Sequence, residues 1–418
     1  MALKDYIAME ERCSNCSFCK FVPFDVAKSI RFGDNCPSGC YNNFNTAFAR
    51  GRFQLGLAIA REEIGYTAET TRIIHECMSC GACDVSCKVC RYNLEPLEHN
   101  IALKNEAIKA GHMLPGQKKM IKSLEEEKTL MPGKKKANRL AWLGKLEVKD
   151  AMKKKAEVLF FPGCRYSYDR KLFATAQGAL KIVMATGADV GVLGKADMCC
   201  AGRAYQMGFF DEFNAAAKAN IKAIKKTGAK MIVTPCADCY HAFKRLYPEL
   251  GLNVEVLHIT EFIERAIDEG KLSFSKKLGY TVTYHDPCHL GRQGEPYVAW
   301  KGKEKKIRNQ IHTWEPRRPR YIGFYGIYDA PRKIIAATGC NLEEMERIKE
   351  YAWCCGAGSG CSEHSPELSA YTANERIEEA KATGAGTIVT ACPWCKANFE
   401  KAGGMEVKDI LELVLEAM

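Results

Sequence analysis

Residues 231–243 read MIVTPCADCYHAF, and residues 387–399 read TIVTACPWCKANF. Each is a short apolar run, rich in β-branched residues, that meets a cysteine, two spacers, a second cysteine and then a helix-forming stretch. Working outward, EVLFFPGCRYS at 157–167 is matched by TVTYHDPCHLGR at 281–292, and MCCAG at 198–202 by WCCGAGSGC at 353–361. The same order of strand, cysteine loop and helix therefore occurs twice, which predicts two tandem α/β units, 157–272 and 273–418. Cys200 and Cys355 stand 155 positions apart and Cys236 and Cys392 stand 156 apart, but Cys164 and Cys288 only 124. The second copy thus carries about 31 extra residues, which the flanks place near 295–327.

The adjacent cysteines narrow the chemistry. Neighbouring Cα atoms lie about 3.8 Å apart across a trans peptide, whereas disulfides want roughly 4.4–6.8 Å, so a routine bridge between Cys354 and Cys355 is disfavoured. The chain has 22 cysteines in 418 residues, too sparse for a disulfide scaffold and too many for an ordinary cytosolic enzyme. Clustered reduced thiols point to metal. The start, MALKDYIAME, has no apolar signal core, and no run of 18 apolar residues occurs, so the expected setting is the cytoplasm, with membrane contact only through a partner. The formal charge is +11. Four bound iron–sulfur clusters at roughly −2 each would bring it to roughly +3, so nucleic-acid binding is discounted.

Ten cysteines precede residue 91 and none lies between 91 and 163. Cys77, Cys80, Cys83 and Cys87 form C-x2-C-x2-C-x3-C, by which one loop wraps three irons of a cubane and sends its fourth thiolate to a neighbouring cluster. Cys13, Cys16 and Cys19 supply a second C-x2-C-x2-C, followed by Cys36-Pro37. Crosswise pairing assigns Cys13, Cys16, Cys19 and Cys87 to one 4Fe-4S cluster, and Cys77, Cys80, Cys83 and Cys36 to the other. Zinc is the competing metal. Cys40 and Cys90 are alternatives to Cys36 and Cys87, since the proline expected after the fourth cysteine is replaced by Lys88. Helical periodicity at 44–65 and 97–112 makes residues 1–110 a small, mostly helical ferredoxin-like module. The lysine-rich stretch 111–156 reads as a basic linker with some helix and a solvated charged surface.

The repeats offer two five-cysteine sets: Cys164, Cys199, Cys200, Cys236 and Cys239, then Cys288, Cys354, Cys355, Cys392 and Cys395. This pattern, with CCGAGSG and TACPWCKANF, resembles the cysteine-rich CCG domain. Two such domains behind a twin-cluster module resemble the heterodisulfide reductase D-subunit family, over about residues 11–104 and 157–400. The fold class implied is α+β: a mostly helical bis-4Fe-4S ferredoxin-like module followed by two tandem α/β CCG domains. The resemblance further implies that each complete set binds a noncubane 4Fe-4S cluster, and that a disulfide is split between the two clusters. The first set departs from the family pattern, with CCAGR and CADC, and a zinc site or an empty pocket competes there.

His241, His285 and His289 flank these cysteines and are candidate proton donors to a nascent thiolate, against the plainer reading of histidines bonded in turns. Cys340 and Cys361 match no ligand position and read as small buried hydrophobes. The insertion mixes Lys301, Lys303, Lys305, Lys306, Arg317, Arg318 and Arg320 with Trp300, Trp314, Tyr321, Phe324 and Tyr325, a surface suited to a lid, an anion or a partner. No G-x-G-x-x-G follows a strand, so electrons must come from outside the chain. Two functions stay open: an electron relay within a larger anaerobic complex, and an enzyme that reduces a small disulfide. The variant RCSNCSFCKFVPF at 12–24 resembles the D-like chains of anaerobic bacterial complexes and favours the relay. The partners implied are a flavin-containing heterodisulfide reductase A-like subunit, an electron-transfer flavoprotein or other redox subunits.

Overall fold

The computed structural model describes residues 3–90, 94–295, 301–308, 311–316 and 323–418. The chain is mixed α and β, with helices and two parallel sheets. The first sheet joins β1 (Lys149–Asp150), β2 (Val158–Phe160), β3 (Val190–Val192), β4 (Met231–Thr234) and β5 (Glu255–His258) in the order β1-β3-β2-β4-β5, all parallel. The second joins β6 (Thr281–His285), β9 (Asn341–Leu342), β10 (Thr387–Thr390) and β11 (Glu406–Asp409) in the order β11-β10-β6-β9, again parallel. Between them in the chain, β7 (Lys303–Ile307) and β8 (Ile311–Glu315) form an antiparallel hairpin in the insertion.

Taken from the other edge, the second sheet repeats the first: β6 stands for β2, β9 for β3, β10 for β4 and β11 for β5. The central strands are buried along nearly all their length, as apolar runs covered by helices on both faces must be. The order in which the strands are added reverses between β2 and β4, and again between β6 and β10. In open parallel sheets such a switch point leaves a crevice at the carboxyl ends of the strands. Cys164 and Cys236 follow β2 and β4 by a few residues, and Cys288 and Cys392 follow β6 and β10. The topology alone therefore delivers both cysteine sets to equivalent crevices.

The N-terminal cysteines sit among helices Ala49–Ala60, Ala68–His75, Ala82–Cys90 and Pro96–Lys109. The last of these is buried on nearly every side because both repeats also press on it. The stretch 111–156, expected as a basic linker, contains the helix Pro115–Glu127 and gives β1 to the edge of the first sheet. Met120, Leu124 and Trp142 are buried there, and so is Arg139, whose charge is matched by buried Asp197 at 3.1 Å. In the insertion, Lys301, Lys303 and Lys305 are exposed, Lys305 pairs with Glu315, and Phe324 and Tyr325 face outward. Trp300, Arg317, Arg318, Arg320 and Tyr321 lie outside the described residues, as do the side chains of Lys306 and Trp314.

Polar joints tie the three segments together. The fully buried ammonium of Lys104 donates to Cys77 O at 2.5 Å, Ser79 Oγ at 2.9 Å, Gln206 O at 3.2 Å and Ser359 Oγ at 2.8 Å. It thus touches the N-terminal helices, the first repeat and the second repeat at once. Arg203, two residues beyond Ala201, lies 3.8 Å from the ring centre of Trp394 and faces Asp238 at 3.8 Å and Glu363 at 3.4 Å.

Tyr166 of the first repeat donates to Asp409 at the end of β11. Burial, reinforced by Glu412, pushes the Asp409 carboxyl up to about 7. A carboxyl raised above its unfolded value of about 3.9 adds stability that is complete below that value and is lost as pH rises through the folded one. Thermal stability should therefore decline between about pH 4 and pH 7 through this residue. Asp409→Asn keeps the helix cap to Leu411, and should flatten that part of a Tm-against-pH curve.

Candidate iron–sulfur centres

Cys36, Cys77, Cys80 and Cys83 line one small cavity of about 20 Å³, together with Ser38 and Arg52. Cys36 precedes a short helix that Pro37 opens, and its thiol is pushed up to about 12 by burial, against the nearby Arg52. Cys40, one turn later, does not line that cavity; it neighbours Cys36, Asp34 and Arg347. Cys87 has Cys19, Cys13 and Cys16 as its sulfur neighbours, and burial raises its thiol. The structure thus gathers the crosswise groups named above, and the side chain of Cys90 lies outside the described residues. Asn15 and Ser17 both take left-handed backbone angles, φ 56° and 66°, which folds Cys13, Cys16 and Cys19 into one tight loop. Cys16 is exposed while Cys19 and Cys87 are buried, so this group reaches the surface.

Each five-cysteine set comes together as a chain of touching thiols. In the first, Cys164 contacts Cys199, Cys199 contacts Cys200, and Cys200 contacts Cys239, which contacts Cys236. In the second, Cys288 contacts Cys354, Cys354 contacts Cys355, and Cys355 contacts Cys395, which contacts Cys392. None of these ten is in a disulfide. Hydrogen bonds from Cys199 and Cys239 lower Cys200 to about 6, and those from Cys354 and Cys395 lower Cys355 to about 5. The second cysteine of each adjacent pair is therefore the one most ready to ionise.

The turn after each pair is the same despite its different residues. Gly356 has φ 91°, and a Cβ there would meet Ser369 O at 2.5 Å. Ala201, at the equivalent place, also takes a left-handed conformation, φ 55°. Both backbone N–H groups donate to the first sulfur of the pair, Ala201 to Cys199 at 3.3 Å and Gly356 to Cys354 at 3.4 Å. CCAGR therefore makes the turn that CCG makes, with the strain of an alanine at positive φ. Gly163, φ 82°, lets the backbone pass the first set, since a Cβ would lie 2.9 Å from Cys239 Sγ.

Two buried guanidiniums that spacing did not reveal supply positive charge. Arg139 Nη1 donates to Cys164 Sγ at 3.2 Å. Arg292, four residues after Cys288, draws its charge interactions from Cys80, Cys288 and Cys354. The Cys80 thiol itself contacts Cys354, so one cysteine of the N-terminal cavity touches the second set. Sets of four or five thiols with compensating cations fit iron–sulfur clusters, whose ligands must be thiolates. Cys340 and Cys361 are buried outside both chains of contacts.

A cleft of about 310 Å³ lies between the N-terminal helices and both repeats, lined in part by Gly81, Tyr205, His241, Arg292 and Gln293. His241 Nδ1 and Arg292 Nη2, buried and without a hydrogen-bond partner among the described residues, belong to residues of its wall. The three histidines expected as proton donors, His241, His285 and His289, are all buried. Burial, with His289 and Arg245 nearby, pushes His241 well below its ordinary value, and burial with Arg376 does the same to His285. Both rings are therefore neutral near pH 7. His289 accepts from the Gln206 amide at 2.8 Å and faces Asp238 at 2.6 Å, so both its nitrogens are engaged.

The cysteine-rich domain model known as CCG matches residues 158–244 and 320–400. The D subunit of the dihydromethanophenazine:CoB–CoM heterodisulfide reductase of Methanosarcina mazei is 31% identical over 358 residues, covering 82% of this chain and 78% of that protein. The chain belongs to the heterodisulfide reductase D-subunit family. The Methanosarcina acetivorans member is 32% identical over 360 residues, again covering 82% and 78%. The EtfAB:quinone oxidoreductase of Syntrophomonas wolfei is 27% identical over 373 residues, 84% of this chain and 48% of that protein. By their names these relatives are oxidoreductases or subunits of them. No described helix of this chain is long and apolar enough to cross a membrane.

Proposed function

We propose that this chain is the iron–sulfur subunit of a cytoplasmic multi-subunit redox complex, and that it relays electrons from a partner to its two five-cysteine sets. Residues 1–110 act as the ferredoxin-like module and 157–272 and 273–418 as the two CCG domains, with 111–156 joining them. Cys13, Cys16, Cys19 and Cys87 hold one cubane 4Fe-4S cluster, and Cys36, Cys77, Cys80 and Cys83 the other. Each five-cysteine set holds a noncubane 4Fe-4S cluster. Bound clusters supply one-electron storage and transfer. The observation that carries the reading is the Cys80–Cys354 contact, which brings a thiol of the N-terminal group against a thiol of the second set. Exposed Cys16 marks the opposite end, where a partner approaches. A flavin-containing A-like subunit or an electron-transfer flavoprotein suits that role, in line with the EtfAB named for one relative. Membrane contact runs through such a partner, and nucleic acid has no part.

A second reading, reduction of a small disulfide within this chain, is favoured by the polar cleft beside Arg292 and His241. Such a step consumes two electrons and two protons and releases two thiols. Purified oxidised protein, loaded with iron and mixed with candidate thiols, separates the two readings. The relay predicts no new signal, whereas an S = 1/2 resonance that appears only with thiol would assign the chemistry to this chain.

A further inference from the structure

The repeats differ at one position that stands beside the cysteines. Phe161, three residues before Cys164, packs edge-to-face on Phe243 with ring centres 4.8 Å apart. His285, three residues before Cys288, packs edge-to-face on Phe399 at 4.9 Å. One site in the fold thus holds a hydrocarbon ring in the first repeat and an imidazole in the second. A ring nitrogen of His285 lies within 4.8 Å of both Cys355 Sγ and Cys395 Sγ.

Arg376 decides where the imidazole proton sits. Its Nε donates to His285 Nδ1 at 3.1 Å. A guanidinium has only donors, so Nδ1 must accept and the proton resides on Nε2. Nε2 is buried and has no hydrogen-bond partner among the described residues. A protonated nitrogen has no lone pair for a metal, but it donates well to a thiolate or sulfide.

We propose that His285 is a positioning residue of the second set: its Nε2–H donates to sulfur at Cys355 or Cys395 and raises the reduction potential of the cluster held there. The proposal rests on the cluster reading above. Hydrogen bonds to cluster sulfurs favour the more negative, reduced state. Phe161 offers the first set no such bond, and that set takes its donor from Arg139 at Cys164 instead. The two sets are therefore tuned by separate groups, and the second can be shifted alone.

The test compares full-length, iron-loaded wild type with His285→Phe and His285→Gln in redox titrations followed by electron paramagnetic resonance. His285→Phe should keep full iron, move only the second set's potential downward, and lose an exchangeable-proton coupling seen in the wild type. His285→Gln retains an N–H and should restore most of the shift. An unchanged potential in His285→Phe at full iron, or equal shifts in both sets, would overturn the proposal. Loss of about four iron atoms in His285→Phe would also overturn it, by making His285 a ligand. Wild type that binds iron but shows no second-set signal would overturn the cluster reading, and the proposal with it.

Discussion

Cys355→Ser is expected to lower bound iron from about 16 to about 12 atoms per chain, and to abolish one noncubane signal while both cubane signals persist. Cys355 is the middle of the second chain of thiols, in contact with Cys354 on one side and Cys395 on the other. A serine hydroxyl nearly matches the thiol in size but does not ionise at neutral pH, so the pocket keeps its shape and loses its central donor. The cubane cysteines belong to other elements and retain theirs. Cys361→Ser is the control: its thiol is buried and outside the set, so iron should not change. Loss of every signal together, with loss of helical circular dichroism, would show unfolding and defeat the prediction.

Glu379→Gln is expected to destabilise the protein by about 3–5 kcal/mol, the cost of leaving buried charge uncompensated. Glu379 accepts from Arg376 Nη1 at 2.6 Å, from Arg347 Nε at 3.0 Å and from the Arg347 backbone N–H at 2.6 Å. All three residues are buried, and Arg347 stacks on Trp353, next to Cys354. Burial pushes the Glu379 carboxyl up, but Arg376 and Arg347 outweigh it and hold the carboxyl below the usual range. A depressed carboxyl contributes stability that is full above its unfolded value of about 4.3 and is lost as pH falls through the folded one. The gap between wild type and variant in urea midpoint should therefore be wide at pH 7 and close under acid. An equal gap at pH 3 would show that the charge is not its source.

Cysteine spacing made the thiol sets legible, because ligands must recur at distances that a strand, loop and helix impose. The choice between Cys36 and Cys40 was not legible, since only the cavity shows which one faces Cys77, Cys80 and Cys83. Arg139 was hidden for another reason: it sits in a lysine-rich stretch, and its partners Cys164 and Asp197 lie 25 and 58 residues away. His285 was visible as a candidate, but its chemistry depends on Arg376, 91 residues on, which fixes the proton. Ala201 reads as a departure from CCG, yet its backbone shows that the turn is kept.

Lys104 has a mechanical consequence. Its one ammonium is shared by the N-terminal helices, the helix after Ala201 and the turn that precedes Cys361. Separating any of these bodies would strand a buried cation and several unpaired acceptors, so no hinge between them opens cheaply. Swinging domains, which in some redox proteins ferry a centre between donor and acceptor, are thereby ruled against. The spacing between the thiol groups is therefore a fixed property of the folded chain.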